Sequence, residues 1–191
     1  VHKVLVSLDI TEDVIAEATQ LGADLIVAHH PVVFHGQKTV TDRDVVGRRI
    51  LRLVKRSISA ICMHTNLDTA PGGVNDTLAE CLGLRNVYRL EETGVLRVGN
   101  LEEPMALRDF AARVGKTLGC NGVRYADAER PVYQVAVGGG ACGEFEDAAI
   151  RAGCDTFVTS DLSYHQFVDA KANGINLIDA GHFPTEDLVC K

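Results

Sequence analysis

The sequence contains no apolar run that approaches the ~20 residues needed to cross a bilayer, so it does not predict a membrane-spanning protein. Positive charge is also scarce, because 19 lysines and arginines are set against 26 aspartates and glutamates, for a formal net charge of −7. This balance argues against a broad nucleic-acid-binding surface but is compatible with a small phosphorylated ligand held locally. The 191 residues, 46% of them hydrophobic, suit a globular protein of one or two domains.

Closely spaced cysteines are missing as well. The six cysteines form no CxxC pair and no dense cluster. Isolated cysteines on apolar segments usually behave as small buried hydrophobic residues in a reducing compartment. We therefore expect a cytoplasmic protein.

The most informative segment is the apolar run Leu25–Ala28, which leads directly into His29, His30 and Pro31. A run without a polar face is typical of a strand buried on both sides, so the two imidazoles should lie where a parallel strand ends. Adjacent side chains point to opposite faces of an ideal strand, so both rings can face one site only if the chain leaves β geometry, which Pro31 favours. Taken alone, the pair fits a hydrogen-bonded strand end as well as it fits a metal site.

An internal repeat gives this junction a context. The order strand, helix, strand occurs over residues 3–8, 12–21 and 25–28, with Thr11 as a helix cap, and recurs over residues 134–137, 144–152 and 156–159. A further strand follows in each half, at residues 60–63 and 176–179, and each leads into a helix for which Asn75 and Pro184 are starting signals. The pattern predicts an α/β protein, with two similar β-α-β halves forming a layered fold and the site at the carboxyl ends of the strands.

The predicted organisation has three parts within one compact unit. Residues 1–94 form the first α/β half and residues 131–191 the second. Residues 95–130 are interpreted as a connecting strand-helix-strand segment that serves as scaffold or oligomer surface.

Polar side chains follow four of the apolar strands. They are His29 and His30, His64 and Asp68, Asp161 and His165, and His182 and Glu186. Because ligands of open α/β sheets collect at the carboxyl ends of strands, we expect these side chains to share one sheet edge. Imidazole and carboxylate donors without a nearby thiolate suit zinc, iron or manganese rather than a cysteine-rich zinc site.

The residue types suggest distinct roles within this constellation. Three histidines and two carboxylates are the expected metal ligands, and Asp68 and Glu186 are the carboxylates that would be costly to bury without a cation. A carboxylate can bridge two ions ~3.5–4 Å apart, and such a centre lowers the pKa of a bound water towards ~7.

Three further residues are candidates for catalysis. His64 could be an orienting residue, a ligand or a general acid or base, whereas His165 and Asp161 suit proton transfer to substrate better than ligation. The triplet Gly138–Gly140 could cradle a phosphate, but it lacks the GxGxxG spacing and a Walker lysine, so a tight turn is favoured.

Four segments, GADLIVAHHPVVF, HTNLDTAPGGVND, TSDLSYH and GHFPTE, resemble in order the signatures of the GTP cyclohydrolase I type 2-like proteins, first described as interacting factors of a yeast transcriptional coactivator. The resemblance covers essentially the whole chain. It implies a dinuclear centre with His64 and His165 lining the pocket, and with these five metal ligands: His29, His30, Asp68, His182 and Glu186. It also implies a ring-shaped homohexamer. Thr159, Ser160 and Asp161 stand where the family usually has Thr-Gly-Glu.

Two classes of function follow from these observations. The chemistry of a two-metal site supports hydrolysis or related Lewis-acid chemistry. The resemblance implies GTP as the substrate, with attack at C8, opening of the imidazole ring and release of formate. It also implies two divalent metal ions per chain. Zinc and iron are the first candidates for these ions, and manganese is the next. The alternatives are a hydrolase of another nucleotide-like substrate and a non-catalytic metal-binding or scaffold protein.

Overall fold

The computed structural model describes residues 1–190, and its chain divides into two units after Leu67. The first unit comprises residues 1–67 together with Cys190, and the second comprises residues 68–189. Lys191, the last position of the predicted second half, lies outside the described residues. Among the described residues, no helix is both long and apolar enough to cross a membrane.

A three-stranded parallel sheet forms the first unit. Its strands, in the order β1-β2-β3, are β1 (Val4–Ser7), β2 (Leu25–Ala28) and β3 (Ser59–Cys62). The helices are α1 (Glu12–Leu21), α2 (Val45–Arg56) and the short α3 (Thr65–Thr69), within which the division into units falls. The predicted α1 is confirmed, because Oγ1 of Thr11 accepts a hydrogen bond from the Val14 amide at 3.1 Å and Gly22 ends the helix at φ 65°.

Only one face of this sheet is covered. Ile26 and Ala28 are buried against Ile15 of α1 and Leu53 of α2 in one apolar cluster. On the other face Val6, Val27 and Ile61 lie side by side in register, and Val6 and Ile61 are exposed. The expectation that β2 is buried on both sides was therefore wrong, because α1 and α2 pack on the same face and leave Val27 half-buried.

A six-stranded mixed sheet forms the second unit. Its order is β4-β5-β7-β8-β9-β6, with β4 (Arg85–Arg89), β5 (Arg97–Met105), β6 (Arg124–Ala126), β7 (Val132–Val137), β8 (Thr156–Thr159) and β9 (Asn176–Asp179). The three central strands β7, β8 and β9 are parallel, whereas the outer strands are antiparallel to their neighbours. Every residue of β8 and β9 is buried, as expected for parallel strands covered on both faces.

Five α-helices accompany this sheet. They are α4 (Val74–Cys81), α5 (Leu107–Leu118), α6 (Glu146–Arg151), α7 (Tyr164–Asn173) and α8 (His182–Glu186). Phe110 of α5 and Leu78 of α4 pack with Val158 and Ile178 in one apolar cluster, and Phe157 and Leu177 belong to another. The predicted α/β class is confirmed.

The division into units differs from the predicted organisation. Residues 68–94 lie in the second unit rather than the first, because α4 packs in the second unit's core and β4 pairs with β5. Residues 95–130 are not a separate connecting segment, since β5 and β6 are strands of the six-stranded sheet.

Candidate metal centre

Three imidazoles come together in the first unit. The ring centroids of His29 and His30 are 4.9 Å apart, and His64 lies 5.4 Å from the first and 5.9 Å from the second. One donor nitrogen from each ring lies within 4.8 Å of the others. The adjacent pair therefore faces a common site, as the sequence interpretation required.

The backbone explains how this convergence arises. β2 ends at Ala28, and the amide of His30 then donates to the carbonyl of Leu8 at 2.9 Å. The His64 amide donates to the carbonyl of His29 at 2.9 Å, and His64 itself adopts a positive φ of 37°. A positive φ is unusual for a residue other than glycine, and strained backbone of this kind is enriched at functional sites.

A carboxylate missed by the sequence interpretation contacts this cluster. Oδ1 of Asp9 lies 2.9 Å from Nδ1 of His30. Asp9 follows the apolar strand β1 much as the predicted site residues follow their strands, so the same criterion could have identified it.

The second unit brings three other predicted residues together. Nε2 of His182 lies 3.1 Å from Oε2 of Glu186, and Nδ1 of the same ring lies 2.6 Å from Oδ2 of Asp161. Carboxylate oxygens of Asp68 and Glu186 lie within 4.8 Å of each other. As metal donors this set therefore offers the imidazole of His182 and the carboxylates of Asp68 and Glu186, of which Glu186 is buried.

The glycine triplet makes room for these side chains. A Cβ atom on Gly140, whose φ is +67°, would collide with the carboxylate of Glu186 and lie 3.2 Å from Nε2 of His182. The amide of Gly139 donates to Oδ1 of Asn75 at 2.7 Å, and the amide of Gly140 donates to Oγ1 of Thr185 at 3.0 Å. Both amides thus serve structure rather than a phosphate, in agreement with the tight-turn interpretation.

Asn75 joins the Asp68 segment to this turn. Its Nδ2 donates to the carbonyls of Asp68 at 3.2 Å and Val95 at 3.1 Å, and the side chain is fully buried. The prediction that Asn75 starts a helix was wrong, since α4 begins at Val74 after Gly73. The side-chain amide of Asn75 instead acts as a clamp that holds the Asp68 segment, Val95 and the glycine turn together. Pro184 is likewise the third residue of α8 rather than its start.

The carboxylates shape the protonation of their neighbours. The hydrogen bond that Glu186 accepts from the His182 ring is the main cause that raises the pKa of His182 to about 9, with Asp161 adding to it and burial opposing it. Burial, followed by the negative charges of Asp68 and Glu186, raises the pKa of the Cys142 thiol to about 12. The thiol is therefore protonated at neutral pH and is a poor metal ligand.

The three predicted catalytic residues have different positions. His64 lies in the imidazole cluster, and Asp161 contacts His182. His165 is exposed on α7, where its ring lies 5.5 Å from that of Tyr164, and the structure does not bring it to His182.

The donor sets fit a divalent metal ion. Two ligands bound at 2.0–2.1 Å with a tetrahedral angle lie about 3.3 Å apart, close to the 3.1 Å between Nε2 of His182 and Oε2 of Glu186. Nitrogen and oxygen donors with a protonated thiol nearby suit zinc, iron or manganese.

Comparison with known proteins agrees with the motifs. The sequence model described as Duf34/NIF3 (NGG1p interacting factor 3) matches residues 1–191. The chain belongs to the NIF3 family. The family resemblance inferred from the motifs is thereby confirmed.

Relatives in the NIF3 family match nearly the whole chain. A "GTP cyclohydrolase 1 type 2 homolog" of Streptomyces coelicolor is 39% identical over 100% of this chain and 71% of its own length. The protein of the same name from Clostridium perfringens is 36% identical over 97% of this chain and 74% of its own. A crystal structure of a Bacillus cereus protein related to NIF3 superposes with a TM-score of 0.90 at 27% identity, covering 97% of this chain and 79% of that one.

Proposed function

We propose that this NIF3-family protein holds two divalent metal ions per chain and hydrolyses a nucleotide-like substrate, with GTP as the first candidate. The observation that carries the proposal is the pair of donor sets: three imidazoles with nitrogens within 4.8 Å in one unit, and Nε2 of His182 3.1 Å from Oε2 of Glu186 in the other. The relatives named GTP cyclohydrolase 1 type 2 homolog support the choice of GTP.

The proposed ligands are those expected from the motifs, namely His29, His30, Asp68, His182 and Glu186. That the two sets serve one dinuclear centre is part of the proposal. It is supported by their donor types, since three imidazoles and two carboxylates, one of which can bridge two ions, suit a two-metal hydrolytic site. It is also supported by their positions, because His30 follows the end of β2 in the first unit and His182 follows the end of β9 in the second.

Bound divalent ions supply Lewis acidity and the activation of water at neutral pH. In this proposal the chain's residues hold and orient the reacting groups, and His64, which lies in the imidazole cluster, takes a proton from water through a ring nitrogen. With GTP, one water adds at C8 and the C8–N9 bond breaks as N9 takes a proton. A second water then cleaves the formamide between C8 and N7, which gives formate and an amine.

Formate release from GTP tests the reaction. Metal-loaded protein is expected to release formate, and His30→Ala is expected to abolish it because an imidazole is lost from the cluster. His35→Ala is the matched control, since His35 is exposed and outside the cluster. Turnover that survives His30→Ala would reject the role of the imidazole cluster in the reaction, and no turnover with any metal would reject the hydrolase.

Elemental analysis tests the ligands separately. Protein purified without chelator should carry about two transition ions per chain, with a sharp fall in Asp68→Ala or Glu186→Ala. Glu17→Ala, which removes an exposed carboxylate of α1, should bind as the unaltered protein does. A stoichiometry unaffected by the first two changes would reject the ligand set.

A second candidate is a non-catalytic metal-binding or interaction protein. The apolar row of Val6, Val27 and Ile61 on the first unit's sheet, in which Val6 and Ile61 are exposed, favours a protein-binding role. Self-association into a homohexamer in the cytoplasm is part of the same proposal. Light scattering should then give six times the chain mass of 20.6 kDa.

A further inference from the structure

We infer that Asp9 and Asp161 are matched positioning residues, each of which orients one metal-binding histidine through its Nδ1 atom. The inference rests on the proposed function, because it takes His30 and His182 as ligands. Oδ1 of Asp9 lies 2.9 Å from Nδ1 of His30, and Oδ2 of Asp161 lies 2.6 Å from Nδ1 of His182. In both pairs the aspartate precedes the histidine by 21 residues.

The two pairs occupy equivalent places in their own sheets. β1 and β2 are parallel neighbours, and so are β8 and β9. In each case the aspartate follows the first strand and the histidine follows the second. In this equivalence β1 corresponds to β8 and β2 corresponds to β9. The repeat found in the sequence paired β2, residues 25–28, with β8, residues 156–159, so the two correspondences differ by one strand.

The hydrogen bond decides which nitrogen faces a metal. A carboxylate only accepts, so a neutral imidazole beside it carries its proton on Nδ1, and the lone pair that can bind a metal is on Nε2. Ligating histidines generally donate their second N–H to a carboxylate or carbonyl, which fixes the ring and makes the ligand more basic. In His182, Nε2 is the nitrogen directed to Glu186, the other proposed ligand, so a metal ion shared by the two would replace the Nε2 proton.

A second carboxylate, that of Asp179, supports the hydrogen-bonded pair of Asp161 and His182. Oδ2 of Asp179 accepts from the amide of Leu162 at 3.2 Å, and its Oδ1 accepts from the amide of Gly181 at 3.1 Å. Asp179 thus joins the residue after Asp161 to the residue before His182. Asp161 adopts a φ of +54°, a costly conformation outside glycine that this bracing helps to maintain. Asp161 is therefore assigned to positioning rather than to the proton transfer expected from the sequence.

Metal affinity gives the first test, measured with zinc alone in competition with a chromogenic chelator. Asp9→Ala and Asp161→Ala should each weaken binding by about 10–100-fold. Asp9→Asn and Asp161→Asn should weaken it less, because the amide oxygen still accepts the Nδ1 proton. Asp13→Ala and Asp169→Ala remove exposed aspartates of α1 and α7 and should leave affinity unchanged.

Nitrogen-15 NMR of the histidine rings gives a readout that a merely structural role would not move. In the zinc-loaded protein the rings of His30 and His182 should carry the proton on Nδ1, and in the metal-free protein the neutral ring of His30 should do the same. In the alanine variants this preference should be lost. If an alanine variant fails to fold, the asparagine variant decides, because a neutral acceptor should move the Nδ1 proton resonance upfield.

These readouts separate the inference from the proposed function. Failure of the unaltered protein to bind zinc rejects the metal centre, while the ring tautomer of His30 in the metal-free protein still tests Asp9. Nε2-protonated rings in the zinc-loaded protein, an Nε2-protonated neutral ring of His30 without zinc, wild-type affinity in both alanine variants, or a response in only one of the two pairs would overturn the matched role.

Discussion

Nε2 of His182 lies 3.1 Å from Oε2 of Glu186, one helical turn further along α8. Through this contact the carboxylate is the main cause that raises the pKa of His182 to about 9. At neutral pH the metal-free ring is therefore a cation, and its proton lies between the two donor atoms that a metal ion would share.

Metal binding should consequently release a proton from His182. Because the ion needs the neutral ring, affinity is expected to rise about tenfold per pH unit up to a pH near 9, and to level off above it. Calorimetry at neutral pH in buffers of different ionisation enthalpy would count the released protons. A pH-independent affinity between 7 and 9 would contradict this assignment.

The metal-free protein should show the opposite dependence in its stability. The folded-state pKa of His182, about 9, lies above the unfolded value of 6.5, so the protonated ring stabilises the fold fully below pH 6.5. That contribution is lost as pH rises from 6.5 through 9. Urea unfolding across this range should show a decline that His182→Gln removes. An equal decline in the variant would assign it to other groups.

Replacing Gly140 by alanine should destabilise the protein for two reasons that can be measured separately. Its φ of +67° strains any other residue, and a Cβ would collide with Glu186. Gly119 has the same φ of +67° with no atom within 4 Å of a Cβ, so Gly119→Ala measures the strain alone, about 1–2 kcal/mol. Gly140→Ala should cost more in denaturant unfolding and should also lower zinc affinity, which Gly119→Ala should leave intact. Equal effects of the two changes would contradict a role for the close approach.

The Cys142 thiol should be inert in the folded protein. Burial and the nearby carboxylates raise its pKa to about 12, so almost no thiolate exists at pH 8 to react with iodoacetamide. Cys81 is exposed and serves as the internal control. Mass spectrometry after brief labelling should find Cys81 modified and Cys142 unmodified. Rapid native-state labelling of Cys142 would contradict the prediction.

Local signals in the sequence predicted most of the regular structure. Thr11 and Gly22 mark the ends of α1, and the apolar runs at Thr156–Thr159 and Asn176–Asp179 coincide with β8 and β9. The unit boundary was missed because it depends on long-range pairing. β4 is exposed along its length, so no hydrophobic pattern in the sequence predicts that it pairs with β5.

The site was predictable in its residue types but not in its hydrogen bonds. Histidines at strand ends identified His30 and His182, whereas the partner of each ring depends on the loop geometry after a neighbouring strand. Asn75 was misassigned for the same reason. Its residue type suggested a helix start, but its use was decided by carbonyl groups at Asp68 and Val95 that become close only in the folded unit.

Asn75 should therefore affect the Asp68 segment as well as stability. Asn75→Ala would remove this buried partner from the carbonyl of Asp68 and the amide of Gly139, at a cost of roughly 1–3 kcal/mol for each group left unsatisfied. The Val95 carbonyl would still accept from Nη1 of Arg97 at 2.9 Å. Thermal unfolding should shift clearly downward, and zinc affinity should fall even at temperatures where the variant is folded, because Asp68 and the glycine turn lose their link. Asn121→Ala, at an exposed position, should change neither quantity appreciably. A destabilised Asn75→Ala protein that still binds zinc with unchanged affinity would show that the clamp supports the core and not the metal centre.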